Sequence, residues 1–493
     1  MKKIFQYICL LLMIGFFSSC DLDTNSTTDI EEELVYTTTD NVDLILNGAW
    51  KYLMETFNSY ANPGLSSIFR ASDAMGSDVV IHFSKYGYKS HYQFLSMHTQ
   101  TSGTVTLSWL LAYRTINNCN NIITKVDQTE GSNEDKARIK GQAYALRGYM
   151  YLNLASFYST AIDVNPDAPC APIYLEPTLP STEGKKRESV SAVYAQCISD
   201  LTQAENLIPP SYDRGNKKYK IDLQVVYGLL ARANLYSRNW SEAEKYAAKA
   251  HGNAELMSET EYKSGFNDVS NKEWIWGHPQ TTEQSDPSYN FHYLDVTSEG
   301  SYYKSFNADP YFMELFDDSD YRKSMFVINN ANPKELYLGY NKFRFREPEV
   351  ADIVLMRTSE MYLIEAEAKA RQNGKVDDAI VVLNKLKTAR HAKPEAAGTS
   401  QQQVIADILI ERRKELFNEG FALTDIIRTQ GNVVRKQYTG GMTLLDGTPI
   451  PEHASHWKFG IGANNLPFEP NSPYYIFSYP NSELTNNPHL NDK

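Results

Sequence analysis

The chain has 493 residues and a mass of 56.0 kDa; 42% of the residues are hydrophobic and 22% charged, enough to bury a large core and too apolar for a globally disordered chain. Asp and Glu outnumber Lys and Arg by 60 to 48, a net charge of −12, and so acidic a surface repels phosphate backbones and argues against a nucleic-acid partner. The 33 Tyr, 21 Phe and 6 Trp suit helix packing or a binding face for sugars or peptides.

The first element is a leader. Lys2 and Lys3 precede an uncharged, mostly apolar run from Ile4 to Phe17, too short to span a bilayer comfortably and of the length of a secretory signal core. Ser18 and Ser19 lead into Cys20, which resembles a bacterial lipoprotein cleavage site, so residues 1–19 are expected to be removed and Cys20 to carry the lipid. Residues 20–34 hold Asp21, Asp23, a Thr/Asn/Ser stretch and the acidic run Glu31 to Glu33, and read as a flexible tether. Acidic residues directly after the lipidated Cys resemble the surface-export signal of Bacteroidetes lipoproteins. Cys119, Cys170 and Cys197 remain, too few for a disulfide framework, and no CxxC or Cys/His cluster points to zinc. No metal site and no cofactor are expected.

Helices dominate the rest of the chain. Between Ala137 and Tyr158 the positions Ile139, Ala143, Leu146, Met150, Leu154 and Phe157 recur at steps of three and four, one face of a helix. A second helix is predicted over Val190–Leu207, capped by Ser189 and stopped by Pro209-Pro210. A third covers Leu223–Ser237 and turns at Arg238-Asn239 into a fourth with Trp240, Ala243, Ala247 and Ala250 on one stripe. That pair resembles a tetratricopeptide repeat, and a second unit over Met361–Leu386 turns at Asn373-Gly374 with Ala366, Ala370 and Ala379 at close-packing positions. The pairs are expected near 223–250 and 358–388. A further helix spans Ile405–Asn418, and its run from Glu411 to Glu415 reads as a solvated or salt-bridged face rather than a catalytic cluster. Residues 63–103 and 271–309 read as long, aromatic, polar loops without regular structure, and loops of that length are usually functional. After Gly431 helical periodicity is lost and irregular packing is expected.

Taken in order, YTTTDNVDLILNGAWKYL, KGQAYALRGYMYLNLASFYS, SVSAVYAQCISDLTQAENLIP, VVYGLLARANLYSRNWSEAEKYA, RTSEMYLIEAEAKA, ERRKELFNEGFALTDIIRT and the terminal SELTNNPHLND resemble the SusD/RagB family of outer-membrane nutrient-binding lipoproteins of Bacteroidetes. The stretch IDVNPDAPCAPIYLEP departs from the family's pattern in lacking a Gly, which touches a local turn. The resemblance implies a mainly α fold: tetratricopeptide-like hairpins form a scaffold with long irregular loops and few short strands, in one domain over 35–493. It implies lipid anchoring at the outer membrane, with the protein exposed at the cell surface. It also implies a SusC-like TonB-dependent transporter as partner, over which the protein sits as a lid, and an oligosaccharide or polysaccharide cargo captured and handed over without catalysis. Some members bind calcium, but no Asp-rich calcium loop occurs in this sequence.

The residues agree with a binding role. No G-x-S-x-G elbow, HExxH or P-loop is present. Sugar rings pack their C–H faces on aromatic planes, while their hydroxyls need Asn, Asp, Arg or Gln partners. The first long loop offers Tyr86, Tyr88 and Tyr92 with Arg70 and Asp73 nearby; the second offers Trp276, Tyr289, His292, Tyr293, Tyr302 and Tyr303. Strand alternation sends one of Trp274 and Trp276 inward. Trp240 is assigned to repeat packing, and His453, His456 and Trp457 are placed in a late loop that could face the transporter. Two rival readings keep the fold: peptides as cargo, or a helical scaffold that binds only proteins.

Overall fold

The computed structural model describes residues 35–492, apart from 60, 284–285, 333, 347–348 and 459. The expected leader, the expected lipidation site Cys20 and the expected 20–34 tether lie outside the described residues. The longer helices are α1 (Thr39–Glu55), α2 (Gly64–Ala74), α3 (Gly103–Lys125), α4 (Asn133–Phe157), α5 (Val190–Leu207), α6 (Leu223–Tyr236), α7 (Trp240–His251), α8 (Thr358–Ala370), α9 (Val376–Ala389), α10 (Gln401–Glu415), α11 (Ala422–Arg428) and α12 (Asn481–Asn486).

Their starts are set by side-chain caps: Thr38, Ser132, Ser189, Asp222 and Ser400 each accept a hydrogen bond from the backbone N–H three residues on. Neighbouring helices then pack in succession, α1 on α3, α3 on α4, α4 on α5, α5 on α6, α6 on α7, α7 on α8, and α8 on both α9 and α10. Both expected hairpins form, α6 with α7 and α8 with α9. Their small residues do the work the sequence suggests, since Ala231, Ala233, Ala243, Ala247, Ala250, Ala366, Ala370 and Ala379 are fully enclosed. Gly228 has the same role in stricter form, for a Cβ there would lie 2.1 Å from Met356 Sδ.

The charged run on α10 is a salt-bridged face, but it is not solvated. Glu411, Arg412, Lys414 and Glu415 are buried, and only Arg413 reaches the surface, paired with Asp78. Glu415 accepts from Arg322 at 2.8 Å, from Arg357 at 2.9 Å and from Arg390 at 3.1 Å, while Arg357 also binds Glu419 and Glu273. Lys342 donates to Glu419 and Lys414 to Asp320. Five cations face five carboxylates in this core, which is why burial is tolerated. Burial alone would raise the Glu415 carboxyl, but Arg390 and Arg357 outweigh it and hold it well below the usual range.

Strands are short and pair in antiparallel twos: β1 (Val79–Ile81) with β5 (Phe306–Ala308), β2 (Pro169–Ala171) with β3 (Glu188–Ser189), β4 (Trp274–His278) with β8 (Ile353–Arg357), and β6 (Phe326–Asn329) with β7 (Tyr337–Tyr340). The segments expected to be structureless therefore contain α2, β1, β4 and β5. Alternation also fails in β4. Both Trp274 and Trp276 are buried, because the strand is covered on two sides and its pairing slips between them. After Gly431 the chain is irregular as expected apart from the short α12, and it crosses back over the helices: Phe477 N–H donates to Phe157 O, and Ser478 N–H to Met97 O. Cys119, Cys170 and Cys197 are buried free thiols. Among the described residues no helix is long and apolar enough to cross a membrane.

Candidate functional site

The two long aromatic segments meet because β1 and β5 pair, with Val79 opposite Ala308 and Ile81 opposite Phe306. Hydrogen bonds continue beyond the ladder: His82 N–H donates to Ser305 O at 2.9 Å and Ser305 N–H to Tyr293 O at 3.0 Å. The helical turn Phe291–Leu294 is thereby held against the 82–88 loop, and the N–H groups of Tyr303 and Lys304 donate to His292 O.

This places a group of rings at the surface. Tyr86 lies 5.3 Å from Tyr303 between ring centres, and Tyr303 stacks on Tyr293 at 4.9 Å. The Tyr289 and Tyr303 hydroxyls are 2.9 Å apart, and Tyr302 stacks on His292 at 4.1 Å. Tyr86 is 54% exposed and Tyr302 59%, rare values for aromatic side chains in a chain with ample core to hide them, while Tyr289 and Tyr303 are half-buried. Beneath them Tyr293 is fully buried and donates to Ala61 O at 3.0 Å, with Tyr88 edge-on to it at 5.1 Å. The loop can lie this close to Tyr293 only through Gly87, which has φ +101° and where a Cβ would fall 2.3 Å from the Tyr293 ring.

The rings of the patch are uncharged. Burial depresses the His292 imidazole to about 4, so it is uncharged at pH 7. The Asp295 carboxylate is enclosed and fully used, accepting from the N–H groups of Thr297, Ser298 and Phe345. Flat, fixed, uncharged rings with tyrosine hydroxyls at their edges suit the C–H faces and hydroxyls of a sugar.

The late loop joins the same neighbourhood. Trp457 lies 3.9 Å from Phe83, its Nε1–H donating to Ile81 O, and Lys89 caps the Phe83 ring at 3.1 Å. Phe83 was not singled out from the sequence, although its position between His82 and Tyr86 is itself the signal. His456 is interior, within hydrogen-bond distance of the Tyr92 hydroxyl at 2.6 Å, and exposed His453 packs against Tyr337.

The structure therefore brings Tyr86, Tyr289, Tyr302 and Tyr303 together at the surface, on Tyr88 and Tyr293. The remaining four expected residues stand apart. Trp276 is wholly enclosed between Trp50 and Tyr149, with Nε1–H on Tyr219 O. Tyr92 lies under the Arg435 guanidinium at 3.8 Å. Arg70 and Asp73 pair at 3.1 Å inside α2, and Asp73 accepts from the Gly420 N–H while burial lifts its carboxyl to about 6. Among the described residues no group of three or more His, Cys, Asp or Glu could hold a metal.

A family model described as starch-binding and associating with the outer membrane matches residues 31–235, and that of the SusD family matches residues 272–492. A solved SusD-like carbohydrate binding protein from Bacteroides vulgatus is 50% identical, with a TM-score of 0.86, covering 92% of this chain and 98% of that one. A SusD superfamily protein from Bacteroides thetaiotaomicron, 20% identical over 92% of this chain and 99% of that one, shares the fold with a TM-score of 0.73. No curated protein matches significantly.

Proposed function

This chain belongs to the SusD family, and from that premise we propose that it captures an oligosaccharide or polysaccharide on its tyrosine patch and delivers it to a SusC-like TonB-dependent transporter, without catalysis. Carbohydrate binding is the role that membership in the family supports. One observation carries the site: two remote segments are pinned by the β1–β5 ladder so that Tyr86, Tyr289, Tyr302 and Tyr303 share one exposed face above a rigid floor. Rings already held in place lose little freedom on binding, so more of each contact appears as affinity. A few aromatic contacts, each contributing about 0.5–1.5 kcal/mol beyond the area they bury, give the mM to μM affinity on the order of which a carrier can still release its cargo.

The proposal extends to the membrane. Cys20 carries the lipid, the acidic 20–34 segment tethers residues 35–493 as one binding unit at the outer-membrane surface, and the late loop with His453 and Trp457 faces the transporter. Affinity electrophoresis against a polysaccharide panel, with peptides as the competing class, tests the cargo. Retardation by a glycan that is lost in Tyr302→Ala supports the patch. Retention of peptides alone would move the cargo to that class, and unchanged retardation in Tyr86→Ala and Tyr302→Ala would exclude the patch as the capturing surface.

A further inference from the structure

A second opening lies away from the tyrosine patch and shares no residue with it. It is a cleft of about 430 Å³ between α3 from Thr106 to Asn120, the segment from Tyr174 to Gly184, and α12. Its size falls in the range of about 300–1,000 Å³ typical of small-ligand sites. Trp109, Tyr113 and Asn117 recur every four residues along α3 and so share one helix face. Trp109 lies 4.6 Å from Tyr113, and Tyr113 lies 5.9 Å from Tyr174 on the opposite wall, a row of three rings.

The walls are tied together by hydrogen bonds that do not involve a ligand. The Asn117 side chain clasps Thr178, accepting from its N–H at 2.7 Å. Asn120 donates to Tyr174 O and Glu176 O while accepting from Arg147, which anchors the segment to the helical scaffold. On the third wall the Glu483 carboxylate accepts from Trp109 Nε1–H at 3.2 Å and from Asn487 at 2.8 Å. Each of its oxygens keeps an unused lone pair for a hydroxyl. At the mouth the Thr106 and Asn486 side chains are exposed.

The lining also selects the charge of a ligand. Among the described residues that line it, Glu483 alone is charged, which disfavours an anion. Lys185, which does not line the cleft, stands 5.1 Å from the Tyr174 ring centre and donates to Ile173 O. Aromatic walls, amides, a hydroxyl and one carboxylate acceptor complement the C–H faces and hydroxyls of a neutral sugar.

We propose that this cleft is a second saccharide site, in which a short neutral oligosaccharide lays its rings against Trp109 and Tyr113 and gives hydroxyls to Glu483 and Asn486. The inference stands on the lining of this cleft and survives failure of the tyrosine-patch reading. Two sites on one chain would let a polymer engage both, converting the second contact into an intramolecular one.

The test uses the purified full chain in detergent, with saturation-transfer NMR of maltotriose, cellotriose, xylotriose and mannotriose. Thr106→Trp fills the cleft from an exposed position, and Tyr86→Ala/Tyr302→Ala disables the patch; thermal unfolding confirms that each variant is folded. Binding of at least one trisaccharide should persist in the patch variant and fall about tenfold or more on adding Thr106→Trp. Asn486→Ala should weaken it by a few fold. No trisaccharide binding in the patch variant, or binding that Thr106→Trp leaves unchanged, overturns the proposal. Tetramethylammonium binding that Thr106→Trp abolishes, with no trisaccharide binding, would make the cleft a cation site and equally overturn it. If Thr106→Trp removes binding in the wild-type background while the patch variant does not, the cleft stands and the patch falls.

Discussion

The ion-paired core around Glu415 and the tyrosine patch both concentrate residue types from which functional sites are made, and they differ in how far their groups are already satisfied. Around Glu415 each charge has a partner, every ring and guanidinium is enclosed, and nothing is left to offer a ligand. At the patch the hydrogen bonds serve to fix the rings, while the outer faces of Tyr86 and Tyr302 stay in water. Density of charge marks the scaffold here, and exposed, immobilised aromatic surface marks the candidate site.

Changes to the buried charges should be felt in stability, and changes to the exposed rings in binding. The largest effect belongs to Glu415→Gln, which leaves three buried guanidiniums short of a counter-charge. Breaking buried pairs in this way costs about 3–5 kcal/mol, to be read as a large fall in thermal midpoint or loss of soluble protein. Recovery of a wild-type midpoint would contradict the structural role given to the cluster.

Next comes the acid limb of stability. At Glu367 burial opposes ionisation, but Arg428 outweighs it and sets the carboxyl at about 2 against an ordinary 4.5. A carboxyl depressed in the folded state stabilises fully above its unfolded value and loses that contribution as pH falls from about 4.5 toward 2. The shift corresponds to about 3 kcal/mol. Denaturant unfolding as a function of pH should therefore show a shallower decline over that interval in Glu367→Gln, alongside lower stability at neutral pH. An identical acid slope in both proteins would show that the group is not depressed.

Tyr302→Ala is expected to change stability by within about 0.5 kcal/mol, as surface substitutions do, yet to weaken glycan binding by about 3- to 10-fold if one aromatic contact is lost. Isothermal calorimetry beside a melting curve separates the two. Smallest of all, Tyr302→Phe keeps the ring and should lose no more than about threefold, the worth of one modest hydrogen bond. A Phe variant as weak as the Ala variant would assign recognition to the hydroxyl instead of the ring.

Much of the scaffold was legible in the sequence because helix periodicity, capping residues and small-residue contacts are local signals. Ser189 caps the helix it was expected to cap, and Ala366, Ala370 and Ala379 pack where their spacing placed them. Burial set by distant elements was not legible. The Glu411–Glu415 run could be read as solvated because the arginines that enclose it, Arg322, Arg357 and Arg390, lie far away in sequence. For the same reason Trp276 could be read as a platform, whereas Trp50 stacks on its ring and Tyr149 packs against it at a steep angle, leaving it wholly enclosed. At the candidate site the sequence singled out two aromatic segments, which the structure brings together, but could not rank their rings by exposure. Exposure there follows from the β1–β5 pairing and from Gly87 letting the loop settle on Tyr293, both long-range facts.

The most direct measurement is calorimetric titration of the full chain and of Tyr86→Ala/Tyr302→Ala with whichever polysaccharide retards the wild type in affinity electrophoresis. Capture on the patch predicts an unchanged melting curve together with a loss of affinity of about tenfold or more. Equal affinity in the two proteins would contradict the assignment of the exposed tyrosines as the capturing surface.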